Sequence, residues 1–260
     1  MPYQNKSFIV NIFSFALIFS VGVYLFSSCT NEPDESSTLE SQNIESIEEE
    51  SNTFATESSA SAIESSPLPA GSRSDWNLIL VNKSNLLPEG FTVETASVGG
   101  GYEMDARAAE AMNQMIRDGN SQGLNLMVCS AYRSVSYQAG LYERKVQEYI
   151  NAGYSETEAR RIAGTIVAPP GTSEHATGLA ADIVSVNYQV LDEGFANTPE
   201  FAWLSAHAAE YGFVLRFPSD KQDLTDIIYE PWHYRYVGVE HAHAMNELNM
   251  CLEEYVALFS

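Results

Sequence analysis

Two short segments carry side chains that could hold a metal ion and activate water. The first contains His175 and, seven residues later, Asp182; the second contains Glu230 and His233. Two imidazole nitrogens and one carboxylate oxygen, with a fourth position left to water, are the ligand set of a catalytic zinc site. A further carboxylate such as Glu230 is what a zinc hydrolase needs to take a proton from that water. The spacing therefore predicts a metallopeptidase-like site with one zinc ion.

The backbone has to bring these side chains to one point. Gly178 provides a turn in the first segment, so that a loop residue and a strand residue can face the same ion. Positions three apart in a regular strand face opposite sides, so Glu230 and His233 cannot share a pocket within flat strand. Pro231 lacks an amide donor and fixes its own φ, which indicates that Glu230 lies in a bend just before the strand.

The other three histidines are not expected to join this site. His241 and His243 stand two apart on a predicted helix, where they point in different directions, and both are expected at the surface. His207 is a single histidine on a helix, for which packing or solvent exposure is the expected role.

The elements around these segments mix strands and helices without a strict alternation. Strand patterns cover residues 76–81, 124–130, 179–184, 213–217 and 232–237, and helix patterns cover residues 105–117, 137–150, 155–166, 199–211 and 239–258. Ser155 is expected to cap its helix, and Gly119 to end the first one. The order predicts an α+β fold, a single domain with a largely antiparallel sheet flanked by helices and the zinc site at the sheet.

The first 29 residues are typical of a targeting segment. An apolar run over residues 8–26 is followed at once by Ser27, Ser28 and Cys29. Small residues before a cysteine resemble the lipobox of bacterial lipoproteins, in which the chain is cut before the cysteine and its thiol is lipidated. An uncleaved membrane anchor is the alternative, because the run is just long enough to span a bilayer. Both interpretations place the rest of the chain outside the cytoplasmic membrane and anchored to it.

Residues 30–72 are expected to form a disordered acidic linker, followed by the folded domain at 73–260. Between residues 30 and 66 there are ten acidic residues, ten serines and no Lys or Arg, a composition that predicts an extended tether. The chain has a formal net charge of −22, and the domain is itself acidic, which argues against nucleic acid as a partner. We expect a monomer.

Three cysteines are too few for a disulfide scaffold. If Cys29 is lipidated, Cys129 and Cys251 remain. They could pair in an oxidising compartment or stay as two separate buried thiols, and the sequence leaves both open.

Three ordered motifs resemble one enzyme family. The pattern S-E-H-x-T-G-x-A-x-D at residues 173–182 and the pattern E-P-W-H-x-R-Y at residues 230–236 resemble the VanY-type D-alanyl-D-alanine carboxypeptidases and their L,D-carboxypeptidase relatives. The segment S-A-Y-R-S at residues 130–134, with Gln138 beyond it, resembles a third segment of that family. The resemblance covers roughly residues 76–259 and extends to a fold group that includes lysostaphin-type enzymes and the hedgehog signalling domain.

The resemblance implies a role for each matching residue. It implies zinc ligands at His175, Asp182 and His233, with Glu230 as the catalytic base.

Three further matches concern the substrate. Arg133 would stabilise the developing oxyanion beside the metal and contact the substrate, with a surface salt bridge as its alternative role. Gln138 and Ser173 would contact the terminal residue of the substrate. An exposed helix position is the alternative for Gln138, and capping of the loop is the alternative for Ser173.

The implied activity is removal of the C-terminal D-alanine from peptidoglycan stem peptides. A D,D-carboxypeptidase would act on pentapeptide stems and an L,D-carboxypeptidase on tetrapeptide stems, and the sequence does not separate them. An endopeptidase that cuts cross-bridges and a non-catalytic, zinc-containing lipoprotein that binds the cell wall are the rival interpretations. Glu230 favours catalysis, because a binding module has no need of a carboxylate beside the metal-bound water.

Overall fold

The structure is a computed structural model and describes residues 68–259. The predicted targeting segment, the predicted lipidation site Cys29 and nearly all of the predicted linker lie outside the described residues. Residues 68–72, which the sequence assigns to the linker, are described. A Cβ built on Gly71 would lie 2.9 Å from Cε1 of His241, so the chain already lies against the domain before residue 73.

The central element is a four-stranded antiparallel sheet. A small hairpin of β1 (Thr95–Ser97) and β2 (Glu103–Asp105) precedes it. The strands of the sheet are β3 (Leu126–Ser130), β4 (Ala180–Ser185), β5 (Phe213–Leu215) and β6 (His233–Tyr236), in the spatial order β3-β4-β6-β5. Every neighbouring pair is antiparallel, which confirms the α+β class with a largely antiparallel sheet.

Helices surround the sheet, and three of the described helices begin at a hydroxyl cap. Within residues 68–259 the α-helices are α1 (Ala106–Ser121), α2 (Val135–Asn151), α3 (Glu156–Ala163), α4 (Pro199–His207), α5 (Gln222–Thr225), α6 (Val239–Leu248) and α7 (Leu252–Val256). At the starts of α2, α3 and α4, Ser134, Ser155 and Thr198 each accept a hydrogen bond from the backbone N–H three residues on, which satisfies a donor that the helix leaves free. The predicted cap at Ser155 is confirmed.

The main core lies where α1 and α4 pack on the sheet. Gly119 was expected to end the first helix, but α1 continues to Ser121. A side chain at Gly119 would overlap Leu126 and would lie 3.2 Å from the Trp203 ring. The glycine therefore permits close packing of the helix on β3 and α4 rather than marking an end, and the prediction was wrong.

Two other element predictions are corrected by the structure. Residues 76–81 form a turn and irregular chain rather than a strand, because Nη2 of Arg235 binds the carbonyl oxygens of Asn77 and Ile79 at 3.1 and 2.8 Å. The Arg235 side chain thus donates the hydrogen bonds that a neighbouring strand would otherwise donate. The predicted closing helix is two helices, α6 and α7, since Asn249 adopts a left-handed conformation with φ of 50°.

Two further findings concern the thiols and the membrane. Cys129 and Cys251 are separate free thiols, the first half-buried and the second buried. Across residues 68–259, none of the helices combines the length and the apolar character that a membrane span requires.

The turn at Gly178 generates a prediction about stability. Gly178 has φ of +75°, and a Cβ there would lie 2.9 Å from the backbone N of Asp105, whereas Gly153 has φ of +95° with open space around its Cβ position. Alanine costs about 1–2 kcal/mol in a left-handed conformation, and a clash with backbone adds about 1–3 kcal/mol. We expect Gly178→Ala to lower the free energy of unfolding by more than Gly153→Ala, measured by urea unfolding of metal-free protein. Equal losses would show that the close approach to Asp105 carries no cost.

Candidate metal centre

The register of two central strands brings the predicted ligands together. Asp182 lies in β4 directly opposite His233, the first residue of β6. His175 lies in a single 3₁₀ turn, Glu174–Thr177, which Gly178 ends before β4 begins. All three ligand side chains are buried. A loop residue and two paired strand residues thus converge, as the sequence predicts.

The distances between the candidate ligand atoms match a tetrahedral zinc site. Asp182 Oδ1 lies 3.4 Å from His175 Nε2 and 3.2 Å from His233 Nδ1. Donors about 2.0–2.1 Å from one zinc at tetrahedral angles are about 3.3 Å apart. His175 Nε2 and Asp182 Oδ1 are buried and have no hydrogen-bond partner among the described residues. Buried polar atoms are rarely left unpaired, so a shared cation accounts for both. The residues therefore fit a zinc ion.

A backbone contact fixes which nitrogen of His175 faces this point. Its Nδ1 lies 2.7 Å from the carbonyl oxygen of Ala131, which holds the proton on Nδ1 and leaves the lone pair on Nε2. The backbone N–H of Arg133 donates to the carbonyl oxygen of His175 at 3.2 Å. The segment that follows β3, which contains Ala131 and Arg133, therefore positions the His175 ring.

Glu230 lies beside the ligands, as the bend at Pro231 predicts. Its N–H donates to the carbonyl oxygen of Phe217, and its own carbonyl accepts from the N–H of His233. This turn brings the Glu230 carboxylate and the His233 ring to the same side, with Oε2 of Glu230 3.5 Å from Nδ1 of His233. The carboxylate is buried, and its position suits a base that acts on water at the metal.

The environment moves the pKa values of these groups apart. Burial raises the pKa of Glu230 to about 8, and the negative charge of Asp182 adds to this. Burial lowers the pKa of His175 to about 4, helped by the positive charge of Arg133. Burial alone would also lower the pKa of His233, but contacts with Asp182 and Glu174 raise it to about 9. At neutral pH the metal-free site therefore holds protons on His233 and Glu230 but not on His175.

The three predicted substrate residues are half-buried or buried. Arg133 is half-buried, makes no ion pair with any residue between 68 and 259, and its Nε has no partner there. Gln138 is only 1% exposed, with Nε2 donating to the carbonyl oxygen of Ala168 and Oε1 unpaired. Ser173 is buried and its side chain makes no capping bond. The alternative roles of Gln138 and Ser173 were therefore wrong, whereas the contacts of all three residues with substrate stay predictions.

The remaining histidines lie elsewhere. His243 is exposed, as expected, and His207 is half-exposed and pairs with Glu210. His241 was expected at the surface but is buried, with Nδ1 2.9 Å from the hydroxyl of Tyr255. The reason is the break at Asn249, which folds α7 back against α6 so that the Tyr255 hydroxyl can reach the ring.

Sequence reasoning missed a buried ion network behind the ligands. Glu174 Oε1 accepts hydrogen bonds from Arg216 Nε and Arg235 Nη1, both at 2.8 Å. Although burial alone would raise the pKa of Glu174, the two guanidinium groups hold it well below its usual range. Glu174 lies in the first motif, next to His175, and Arg235 lies in the second, two residues after His233. Charged residues this close in sequence to the predicted ligands could have indicated an ion pair beside the metal site.

Comparison with known proteins is consistent with this geometry. A profile of the VanY family, described as D-alanyl-D-alanine carboxypeptidase, matches residues 101–239. A D-alanyl-D-alanine carboxypeptidase of Enterococcus faecalis (strain ATCC 700802 / V583) is 37% identical over 188 residues, which are 72% of this chain and 68% of that protein. In two other relatives the match spans 51% of the relative's own length.

Two solved structures are similar to the described domain. One is a glutamate-to-alanine variant of the vancomycin resistance D,D-pentapeptidase VanY in complex with Zn(II). It is 36% identical, with a TM-score of 0.64, and the match covers 70% of this chain and 99% of that one. The other is the LD-carboxypeptidase LdcB, 32% identical with a TM-score of 0.62, and the match covers 71% of this chain and 88% of that one.

The raised pKa values predict that metal binding releases protons. Zinc can bind Nδ1 of His233 only after its proton leaves, and a nearby cation lowers the pKa of Glu230 from its raised metal-free value. We expect about one to two protons to be released per zinc ion at pH 7, and the zinc affinity to rise as the pH increases towards about 9. Isothermal titration calorimetry in two buffers of different ionisation enthalpy measures the release. Binding that releases no proton would contradict the prediction, and His243→Ala serves as the unaffected control.

Proposed function

Because this chain belongs to the VanY family of D-alanyl-D-alanine carboxypeptidases, a family of zinc metallopeptidases, we propose that it removes the terminal D-alanine from peptidoglycan stem peptides. The observation that supports this most directly is the convergence of three buried ligand atoms with a fourth group, a second carboxylate, beside them. Asp182, His175 and His233 provide the metal ligands, and Glu230 lies where a base for the attacking water is needed.

In the proposed mechanism Glu230 moves a proton from water to the leaving group. A bound zinc supplies a water of lowered pKa and polarises the scissile carbonyl. Glu230 takes the proton as the water oxygen bonds to the carbonyl carbon before the last D-alanine. It then gives that proton to the amine nitrogen as the C–N bond breaks. Burial raises the pKa of Glu230 and a bound cation opposes that rise, and these opposing effects suit a group that has to accept and return a proton.

Arg133 is proposed to stabilise the charge that develops on the carbonyl oxygen. Its positive charge acts on the pKa values of both His175 and Glu230, so the guanidinium lies within electrostatic range of the reaction centre. Its Nε is unpaired among the described residues and is free to donate to an anionic oxygen.

Gln138 and Ser173 are proposed as contacts for the terminal residue of the substrate. Gln138 Oε1 is a buried acceptor with no described partner, which could receive an N–H of the peptide. The buried hydroxyl of Ser173 stands next to Glu174 at the start of the turn that carries His175, where it could donate to the terminal carboxylate.

Stem peptides lie outside the cytoplasmic membrane, so we propose that the domain works there. The targeting pattern of residues 1–29 supports this proposal, with Cys29 as the lipidation site and the acidic linker as a tether. The domain would then act on the wall that surrounds the anchor point.

The function is tested by incubating the zinc-loaded protein with muropeptides that carry pentapeptide and tetrapeptide stems, side by side, and reading the products by mass spectrometry. We expect the loss of one D-alanine and no other cleavage. Shortening of the pentapeptide stem identifies a D,D-carboxypeptidase, and shortening of the tetrapeptide stem an L,D-carboxypeptidase. Two unchanged stems in a sample that contains zinc would reject the proposal, in favour of an endopeptidase if cross-linked dimers are cut and of a wall-binding protein if they are not.

The role of Glu230 is tested with Glu230→Gln, which keeps the size of the side chain and removes the base. We expect zinc content to be unchanged and kcat to fall by about 10²–10⁴-fold, the usual contribution of a general base, with little change in KM. Glu240→Gln, at an exposed position, is the matched control. Turnover of the Glu230 variant at the wild-type rate would show that another group carries the proton.

A further inference from the structure

A network of four charged side chains, of which Glu174, Arg216 and Arg235 are buried and Glu253 is partly exposed, stands behind the His233 ligand. Arg216 donates through Nη1 and Nη2 to Glu253 at 2.8 and 2.6 Å, and through Nε to Glu174. Arg235 joins it through the bond from Nη1 to the same oxygen of Glu174. Two positive and two negative groups balance, so the network is neutral as a whole. Its geometry fixes the plane of the Glu174 carboxylate, because Oε1 is held by two donors.

The second oxygen of this carboxylate faces the metal ligand. Glu174 Oε2 and His233 Nε2 are 3.8 Å apart, and neither has a hydrogen-bond partner among residues 68–259. The distance is longer than a hydrogen bond, but a small rotation of the ring closes it. Phe217, with its ring centroid 4.8 Å from that of His233, packs beside the ring. Two buried and otherwise unpaired atoms favour that closure, because each costs free energy if left unsatisfied.

The partner of Nε2 decides which nitrogen of His233 can bind a metal. A carboxylate accepts but does not donate, so it holds the proton on Nε2 and leaves the lone pair on Nδ1. Nδ1 is the atom that lies 3.2 Å from Asp182 Oδ1. We propose that Glu174 is a positioning residue that selects the Nε2–H form of His233 and thereby directs Nδ1 to the metal. The inference rests on the zinc site of the proposed function and does not depend on which peptide is cleaved.

Glu174→Gln tests this role sharply, because an amide has one acceptor and one donor end. The two arginines require an acceptor where Oε1 stands, so the amide oxygen takes that place and the NH₂ group faces His233. A donor opposite Nε2 favours the proton on Nδ1, the wrong form for binding the metal. We expect the zinc affinity, measured by competition with a chelator of known affinity, to fall by about 10–100-fold.

Glu253→Gln is the matched control. It removes one negative charge from the same network and weakens the hold on Arg216, yet leaves Glu174 Oε2 opposite His233. We expect it to reduce the melting temperature of the metal-free protein while zinc affinity stays within about twofold of wild type. An unchanged affinity in Glu174→Gln, or equal losses in both variants, would overturn the proposal.

A second measurement needs no variant. In zinc-loaded wild-type protein labelled with ¹⁵N, long-range ¹H–¹⁵N correlations of His233 should show a proton on Nε2 that exchanges slowly with water. A metal-bound Nε2, or an Nε2–H that exchanges freely, would overturn the proposal even if Glu174→Gln did not fold. Zinc affinity and histidine spectra are read without substrate, so a protein that binds zinc in this way but cleaves no stem peptide would reject the proposed function alone.

Discussion

The pairing of β4 with β6 is the constraint on which the site depends. With Asp182 opposite His233 and Ala180 opposite Arg235, these four side chains lie on one face of the two strands. A slip of one residue would turn Asp182 into the core and remove a ligand. The opposite face prevents that slip, because Ala181 and Tyr234 pair there and lie fully buried in the main core. Core packing on one face of β4 and β6 therefore determines which side chains lie at the candidate metal site on the other face.

The charges on the site face are tolerated because they compensate one another. An isolated buried ion costs several kcal/mol, and removing one member of a buried pair is more costly than never having the pair. Glu174 therefore needs both Arg216 and Arg235, and Arg235 also binds the carbonyls of Asn77 and Ile79. The network connects the ligand turn, two strands and the first described segment of the domain. By contrast, the ligand atoms of His175 and Asp182 have no hydrogen-bond partner among residues 68–259, which suits a site that binds a cation.

The candidate ligands and the order of most elements could be predicted from the sequence because both depend on local signals. The seven-residue spacing across Gly178 and the bend at Pro231 are properties of adjacent residues, and the strand patterns of β3 to β6 are strong enough to read directly. The β1–β2 hairpin was missed because its strands have three residues each and mixed polarity. The strand predicted at residues 76–81 failed for the opposite reason. Its residues favour a strand, but its carbonyl groups are bound by an arginine that is distant in sequence.

The proposed metal centre would account for hydrolysis but not for the choice between stem peptides. In the proposed mechanism the ligands and Glu230 act at the scissile carbonyl, and none of them distinguishes an L- from a D-centre in the residue before it. Overall similarity does not decide either, since the D,D-pentapeptidase VanY and the LD-carboxypeptidase LdcB are 36% and 32% identical to this chain. The choice must therefore lie in side chains around the ligands. Tyr102 is near them, because it directly precedes β2, where the carbonyl oxygen of Glu103 accepts a hydrogen bond from the N–H of Tyr132, next to Arg133, at 2.8 Å. It follows the Gly99–Gly101 turn of the β1–β2 hairpin, so the element least visible in the sequence is also one that borders the site.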